Sequence, residues 1–223
     1  MKLRKLVRHW IHAPSSGRVT RRFHRLYYDR RRETWRNTTW LGTEVLKCPL
    51  DLWIYQELVH ELRPDWIIET GTAFGGSASY LASLCELVGH GRVLSIDIET
   101  RPDRPSHPRI EYLTGSSIAP ETLAEVRRRV RPEERTVVIL DSDHSRDHVL
   151  AELRAYHPLV GLGSYCIVED SNVGGHPVAP ELAPGPMEAI RAFLAENDAF
   201  AVDRSREKFY LTFNPSGFLK RVK

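Results

Sequence analysis

The segment at residues 65–77, D-W-I-I-E-T-G-T-A-F-G-G-S, constrains the fold more than any other part of the chain. Its first five residues are predicted to form a short buried strand, because aromatic and β-branched residues dominate them. Glycines then follow at Gly71, Gly75 and Gly76, and the next residues carry apolar side chains at helical spacing. A strand, a glycine-rich turn and a helix form the first half of a nucleotide-type βαβ unit. Ligands of such units bind at the carboxyl ends of the strands.

Two acidic residues indicate which ligand this turn suits. The glycines do not follow the G-x-G-x-x-G pattern, and Glu69 precedes Gly71 by two residues. A carboxylate at that place suits a cationic ligand better than a pyrophosphate. Asp97 ends the next predicted strand, R-V-L-S-I-D, where an acid can accept both hydroxyls of a ribose. The pair favours S-adenosylmethionine, which carries an ammonium and a sulfonium, over an ordinary tight turn without a ligand.

Charge is distributed unevenly along the chain. Residues 1–36 contain twelve Lys or Arg and two acids, a net charge of +10, whereas the whole chain has +3. We therefore predict a basic helical arm over residues 1–39, with helices near 1–12 and 20–32, and a catalytic domain over 40–223. Such an arm could bind nucleic acid, anionic lipid or an acidic glycan. We favour the alternative that it packs on the domain or on a second subunit.

Length and composition limit the class of protein. A chain of 223 residues with 41% hydrophobic content suits one α/β domain with an appendage. The sequence shows no apolar run of 18 residues and no secretory signal, and its three cysteines are far apart. We expect a cytoplasmic protein with free thiols, no nucleic-acid partner, and assembly into a homodimer or a larger homo-oligomer.

Later strands alternate with helices, which predicts a mostly parallel sheet with one reversed strand. The predicted strands after Asp97 lie at residues 109–113, 136–141 and 164–170, followed by a closing hairpin of 200–203 and 208–213. Residues 172–186 are dense in Gly and Pro, which is typical of a functional lid or a disordered loop.

Three carboxylates are expected to meet at one edge of this sheet. Asp141 ends the fourth predicted strand, and Glu169 and Asp170 end the fifth. Their mutual repulsion would be relieved by a hard divalent cation such as Mg²⁺, which prefers oxygen ligands. The alternative is that these acids cap helices or face solvent. We favour the metal site.

A histidine and a serine pair complete the candidate site. His144 lies three residues after Asp141, where it can act as a base, although a surface-loop histidine is the alternative. Ser116 and Ser117 follow a strand and could hold an adenine edge. Lys47 could touch the donor or the acceptor, but a core or surface role is as well supported. Asp143, Asp147 and His148 are expected to cap or decorate the next helix.

Several motifs together resemble the cephalosporin hydroxylase/rhamnosyl O-methyltransferase family. They are E-T-G-T-A-F-G-G-S, S-I-D-I-E, T-G-S-S, L-D-S-D-H-S and V-E-D, and the resemblance covers about residues 40–220. It implies a Rossmann-like class I methyltransferase fold with a central, mostly parallel seven-stranded sheet, one antiparallel strand and helices on both faces. More distant similarity extends to catechol O-methyltransferase, which has lysine at the place of His144 and asparagine at that of Asp170. A catechol acceptor is therefore disfavoured.

The residues and the resemblance together define the predicted site. The donor-binding residues are Glu69, Gly71, Thr72, Gly75, Ser77, Asp97, Ser116, Ser117 and Asp141. The predicted metal ligands are Asp141, Glu169 and Asp170, for Mg²⁺ or another hard divalent cation, and the catalytic residues are His144 and Asp141.

The expected activity is methyl transfer from S-adenosylmethionine to a hydroxyl of a sugar or glycoside. A mannoside or rhamnoside of a polymethylated polysaccharide or glycolipid is the acceptor that the resemblance suggests. Two rival functions stay open. An oxygenase would need two histidines and a carboxylate at its iron, and no H-x-D or H-x-E occurs in the chain. A nucleic-acid methyltransferase would use the basic arm, which could alternatively contact anionic lipid at a membrane surface.

Overall fold

The computed structural model describes residues 17–223, so the helix predicted near residues 1–12 lies outside the described residues. Within the described residues, 17–29 are helical and are called α1, and this helix ends three residues before the end of the predicted 20–32 helix. A short hairpin follows, with strands β1 (Thr39–Trp40) and β2 (Thr43–Glu44). Helix α2 (Pro49–Leu62) then leads into the central sheet.

Seven strands form the central sheet. They are β3 (Trp66–Thr70), β4 (Arg92–Asp97), β5 (Ile110–Thr114), β6 (Thr136–Leu140), β7 (Tyr165–Val168), β8 (Phe200–Val202) and β9 (Phe218–Arg221). The connecting helices are α3 (Gly76–Leu87), α4 (Pro120–Arg129), α5 (Arg146–Tyr156) and α6 (Pro186–Glu196). The strand order is β5-β4-β3-β6-β7-β9-β8, and β9 runs antiparallel to both of its neighbours, β7 and β8. The predicted fold, a mostly parallel seven-stranded sheet with one reversed strand, is confirmed.

The prediction of the closing hairpin was wrong in its second strand. Strand β8 pairs with β9 at residues 218–221 and not with residues 208–213, which form no strand. The apolar side chains of Leu211 and Phe213 pack instead with Trp35 and Cys48, in a separate cluster outside the sheet. The backbone N–H of Phe213 donates to the Asp51 carboxylate, so it is not available to a strand partner.

The two faces of the sheet are covered by different helices. Alternate residues of β3 divide between two apolar clusters: Ile68 packs on one face with residues of α5 and α6, and Ile67 packs on the other with residues of α2 and α3. Strands β4 and β6 lie on opposite sides of β3. The chain therefore runs from β3 outwards to β4 and β5 and then returns to the other side of β3 at β6. In open α/β sheets this reversal of strand order opens a crevice at the carboxyl ends of the strands.

The described part of the basic arm packs on this domain. The rings of His24, Tyr27 and Tyr28 lie within about 6 Å of the Phe213 ring, and the His24 ring stacks on it. The Arg25 Nε donates to the carbonyl oxygen of Pro177 at 3.1 Å, which links α1 to the Gly/Pro-rich segment. These contacts agree with the packing interpretation of the arm, while the boundary at residue 39 stays a prediction.

Two further findings concern the described residues. Between residues 17 and 223, no helix is both long and apolar enough to cross a membrane. Cys48, Cys85 and Cys166 are free and buried, as the wide spacing of the cysteines predicted.

Candidate active site

A cavity of about 850 Å³ opens at the carboxyl ends of the central strands. That volume lies in the range of small-molecule and cofactor sites. Nine of the predicted site residues line it: Gly71, Thr72, Ser77, Asp97, Ser116, Ser117, Asp141, His144 and Asp170. Glu69, Gly75 and Glu169 do not lie on its wall. The arm contributes Tyr28, Arg31, Trp35 and Arg36 to the lining, so arm and domain share one cavity.

Gly71 brings the glycine-rich turn into contact with the end of β6. Its φ is +84°, in the left-handed region, and a Cβ at this position would lie 1.9 Å from the carbonyl oxygen of Asp141. Only glycine combines this backbone conformation with so close an approach. The turn therefore lies directly beside Asp141, the first of the predicted metal ligands.

Asp97 holds the glycine-rich turn from the other side. Its Oδ2 accepts hydrogen bonds from the backbone N–H groups of Thr72 and Ala73, each at 2.9 Å, and pairs with Arg104 at 3.1 Å. The predicted ribose acceptor thus already has protein partners. Because two of these partners are N–H groups of the turn, Asp97 couples the turn's conformation to any ligand bound at the end of β4.

We expect Asp97→Ala to weaken binding of S-adenosylmethionine by at least about tenfold. The substitution leaves two N–H groups of the turn without their charged acceptor, and hydrogen bonds to charged groups contribute roughly 1.5–3 kcal/mol each. Isothermal titration calorimetry measures the change. Asp103→Ala is the control, since Asp103 is exposed in the same loop. A folded Asp97→Ala protein with wild-type affinity would show that neither the turn nor the donor depends on Asp97.

Glu69 is fully buried within β3. Its Oε2 accepts a hydrogen bond from Ser95 Oγ at 2.9 Å, whereas Oε1 has no hydrogen-bond partner among the described residues. Burial raises the pKa of Glu69 to about 7, although the nearby Lys47 ammonium opposes this shift. An unsatisfied buried carboxylate oxygen is costly, so Glu69 is suited to accept from a cationic group.

Asp141, His144 and Asp170 form a cluster that fits a divalent cation. Each offers one ligand atom, and the three atoms lie within 4.8 Å of one another. The Nε2 of His144 lies 3.4 Å from Asp170 Oδ2. Burial raises the pKa of both carboxyls, while Lys47 opposes it most at Asp141 and His144 opposes it most at Asp170. Burial lowers the pKa of His144, but the carboxylates outweigh it and the net shift is upward.

Glu169 lies at the end of β7 but is engaged by two other groups. Its Oε1 accepts from Lys47 Nζ at 2.7 Å and from the Tyr55 hydroxyl at 2.5 Å. The Tyr55 oxygen in turn accepts from the Asn214 amide at 2.9 Å. Glu169 is not part of the cluster of three, and its role as a metal ligand stays a prediction.

For two residues at the site, Lys47 and His148, the sequence does not predict the position that the structure shows. The sequence supports contact with the donor or the acceptor, a core role and a surface role for Lys47 alike, whereas the structure buries its ammonium among the acids at the strand ends. His148 was assigned to the helix surface, but it lines the cavity, with Nε2 3.1 Å from Ser117 Oγ and from Ser142 Oγ. The neighbouring Asp143 accepts the N–H of Ser145, the residue that precedes α5, and it also lines the cavity, so its predicted capping of α5 stays a prediction.

Three features together define a Rossmann-like class I methyltransferase. They are the glycine-rich turn after β3, the acid that ends β4 and the acidic cluster at the edge of the sheet. Residues 32–222 match the family model described as Rhamnosyl O-methyltransferase/CmcI. Rhamnosyl O-methyltransferase of Mycobacterium leprae (strain TN) is 41% identical over 218 residues, covering 95% of this chain and 93% of the relative. The rhamnosyl O-methyltransferase of Mycobacterium tuberculosis (strain H37Rv) is 41% identical over 220 residues, covering 95% of this chain and 88% of the relative.

The fold has counterparts among solved structures. One described as cmcI-D160 Mg-SAM has a TM-score of 0.65 at 24% identity, covering 84% of this chain and 78% of its own. The chain belongs to the rhamnosyl O-methyltransferase/CmcI family, as the motifs predicted, and it is an O-methyltransferase.

Proposed function

We propose that the protein transfers a methyl group from S-adenosylmethionine to a hydroxyl of a sugar, with Mg²⁺ or a similar cation at the acidic cluster. One observation carries this proposal: the glycine-rich turn and the Asp141–His144–Asp170 cluster line a single cavity. Relatives that cover nearly the whole chain are named rhamnosyl O-methyltransferases, and the solved CmcI structure is described with Mg and SAM. A rhamnoside, or a mannoside of similar shape, is the acceptor we propose.

Within the Asp141–His144–Asp170 cluster, the two acids and the histidine have different roles. Asp141 and Asp170 would hold the cation, with Glu169 the third ligand that the sequence predicts. A bound divalent cation supplies a positive charge that lowers the pKa of a nearby hydroxyl. His144 accepts the hydroxyl proton at Nε2, and Asp170, whose Oδ2 lies 3.4 Å away, stabilises the imidazolium that results.

The glycine-rich turn and two acids, Glu69 and Asp97, form the donor side of the site. Glu69 lies buried behind the cavity wall, where its Oε1 has no hydrogen-bond partner among the described residues and faces Lys47 Nζ at 3.8 Å, so its contact with the cationic end of the donor stays a proposal. Asp97 fixes the turn by two N–H contacts. Ser117 Oγ lies 3.1 Å from His148 Nε2, which orients the hydroxyl at the end of β5. These residues position the donor, and methyl transfer itself needs little more than alignment with the acceptor oxygen.

The arm forms the wall on the acceptor side. The Tyr28 and Trp35 rings stack 5.5 Å apart, and the Arg36 guanidinium lies 5.2 Å from the Trp35 ring centre. Because the Trp35 ring is buried and packed against Phe213, the half-buried Tyr28 and the exposed Arg31 and Arg36 are the arm residues that we propose contact the acceptor. This arrangement favours acceptor recognition by the arm over nucleic-acid binding. Cytoplasmic location and a homo-oligomeric state stay predictions.

A methyl-transfer assay tests the proposed function. Purified protein is incubated with methyl-labelled S-adenosylmethionine, Mg²⁺ and a panel of rhamnosides, mannosides and catechols. We expect label in a rhamnoside or mannoside and none in catechol, loss of activity with EDTA, and recovery on adding Mg²⁺. Full turnover in EDTA, with no metal found by elemental analysis, would overturn the metal-dependent mechanism. Label appearing in catechol alone would overturn the acceptor class.

A further inference from the structure

Lys47 is a buried charged residue to which the proposed reaction gives no role. Its side chain is 1% exposed, and its Nζ lies 2.6 Å from Asp141 Oδ2, 2.7 Å from Glu169 Oε1 and 3.8 Å from Glu69 Oε1. The three acids come from three neighbouring strands, β3, β6 and β7. One ammonium therefore contacts both the donor side and the metal side of the site.

The backbone before Lys47 is held in an unusual conformation. Leu46 has a φ of +59°, in the left-handed region that non-glycine residues rarely adopt. On the upstream side, Gly76 allows close contact with β2, since a Cβ there would lie 2.1 Å from the Glu44 carbonyl oxygen. Downstream, Pro49 begins α2. The surrounding structure must offset this strain, which is typical of segments that deliver a functional side chain.

The charges around Lys47 explain why its side chain is directed to this place. Four carboxylates lie at the strand ends, with side chains between 0% and 23% exposed: Glu69, Asp141, Glu169 and Asp170. Within residues 17–223, Lys47 is the only Lys or Arg that forms an ion pair with any of them. Buried acids without a counter-charge would repel one another and lose their hydration. The Lys47 ammonium offsets part of this repulsion at three of the four acids, and His144 pairs with the fourth, Asp170.

We propose that Lys47 is a built-in counter-cation of the site. It neutralises and positions Glu69, Asp141 and Glu169 before the divalent cation binds, and its positive charge limits how tightly that cation is held. The part that concerns the metal rests on the proposed function, whereas the part that concerns the apo protein does not. Lys47 acts through these acids, so it is a positioning residue.

Thermal stability in EDTA tests the first part. Lys47→Met keeps a long unbranched side chain but removes the charge, and it should lower the melting temperature by about 10 °C, since breaking a buried ion pair is strongly destabilising. Lys208→Met is the matched control, because Lys208 pairs with Glu57 on the partly exposed surface and should shift the melting temperature by less than about 4 °C.

Two more variants separate charge from packing. Lys47→Arg retains the charge and should lose less than half as much as Lys47→Met. In Lys47→Met/Glu169→Gln, one negative charge is removed along with the positive one, so the loss should be smaller than the sum of the single losses. If Lys47→Met fails to fold, that failure is the extreme form of the expected loss. A Lys47→Arg protein as unstable as Lys47→Met would then overturn the proposal.

Metal binding tests the second part. Calorimetry with Mg²⁺ and no donor should show a dissociation constant lower by on the order of tenfold in Lys47→Met, because the site is more negative by one charge. Turnover should nevertheless fall, since the acids lose their alignment. A lysine that only fills space would leave Mg²⁺ affinity unchanged, and that result would overturn this part. Wild-type protein that binds no Mg²⁺ would overturn the proposed metal, while the stability results would still decide the role of Lys47.

Discussion

His144→Ala is expected to lower the rate of methyl transfer by about 10²–10⁴-fold, the usual effect of removing a general base. His144 lies on the cavity wall with Nε2 3.4 Å from Asp170 Oδ2, so it is placed both to accept a proton and to have its charged form stabilised. The loss corresponds to roughly 3–5 kcal/mol of activation free energy. Donor affinity should be unchanged, because no donor-binding contact of the chain runs through this ring.

Steady-state rates with a saturating sugar acceptor, measured across pH, check this prediction. The loss should shrink as pH rises, since hydroxide can partly replace the missing base. His90→Ala serves as the control, because His90 pairs with Asp65 at the opposite, amino-terminal end of β3 and should leave the rate near wild type. A wild-type rate in His144→Ala would transfer the role of base to another group, and Asp143, also on the cavity wall, is the next candidate.

The sequence was sufficient for the parts of the site that follow from strand ends. A run of β-prone residues that ends in an acid or a glycine places that residue at the carboxyl edge of a parallel sheet. Asp97, Asp141 and Asp170 all reach the cavity for this reason. The same logic placed Glu169 at the edge, but it could not show that Lys47 and Tyr55 engage its Oε1.

Patterns of this kind do not predict contacts between segments that are far apart in the chain. Lys47 and Asp141 are 94 positions apart, and nothing in a stretch that carries no helical or strand periodicity indicates which way its lysine points. His148 was missed for a related reason. It occupies the first turn of α5, where a polar residue usually faces solvent, yet this turn begins at the cavity and brings the ring against Ser117 and Ser142.

The error in the closing hairpin has the same origin. Residues 208–213 read K-F-Y-L-T-F, a β-prone run that predicts a strand. Phe213 is nevertheless covered by His24, Tyr27 and Tyr28 of α1, and its N–H is taken by Asp51. Burial against the arm therefore outweighs the local preference. The strand that pairs with β8 comes later, at β9.

Gly71→Ala is expected to be the most destabilising single substitution in the glycine-rich turn. An alanine there must adopt a φ of +84°, and its Cβ would lie 1.9 Å from the Asp141 carbonyl oxygen. The left-handed conformation costs roughly 1–2 kcal/mol, and forcing β6 and the turn apart adds about 1–3 kcal/mol. We expect a fall in melting temperature of about 10 °C and a loss of donor binding, because the turn and Asp141 would separate.

Gly89→Ala isolates the two contributions. Gly89 also has a positive φ, +68°, but no atom lies within 4 Å of the position where a Cβ would be added. It should therefore show the conformational cost alone, about 2–8 °C, with donor affinity at the wild-type level. Differential scanning calorimetry and donor titration of both variants give the comparison. Equal losses of stability in Gly71→Ala and Gly89→Ala, with donor binding intact in both, would mean that close contact between the turn and Asp141 is not what requires glycine. The loss of stability at Gly71 beyond that at Gly89 therefore measures the close contact between the turn and Asp141, the first predicted metal ligand.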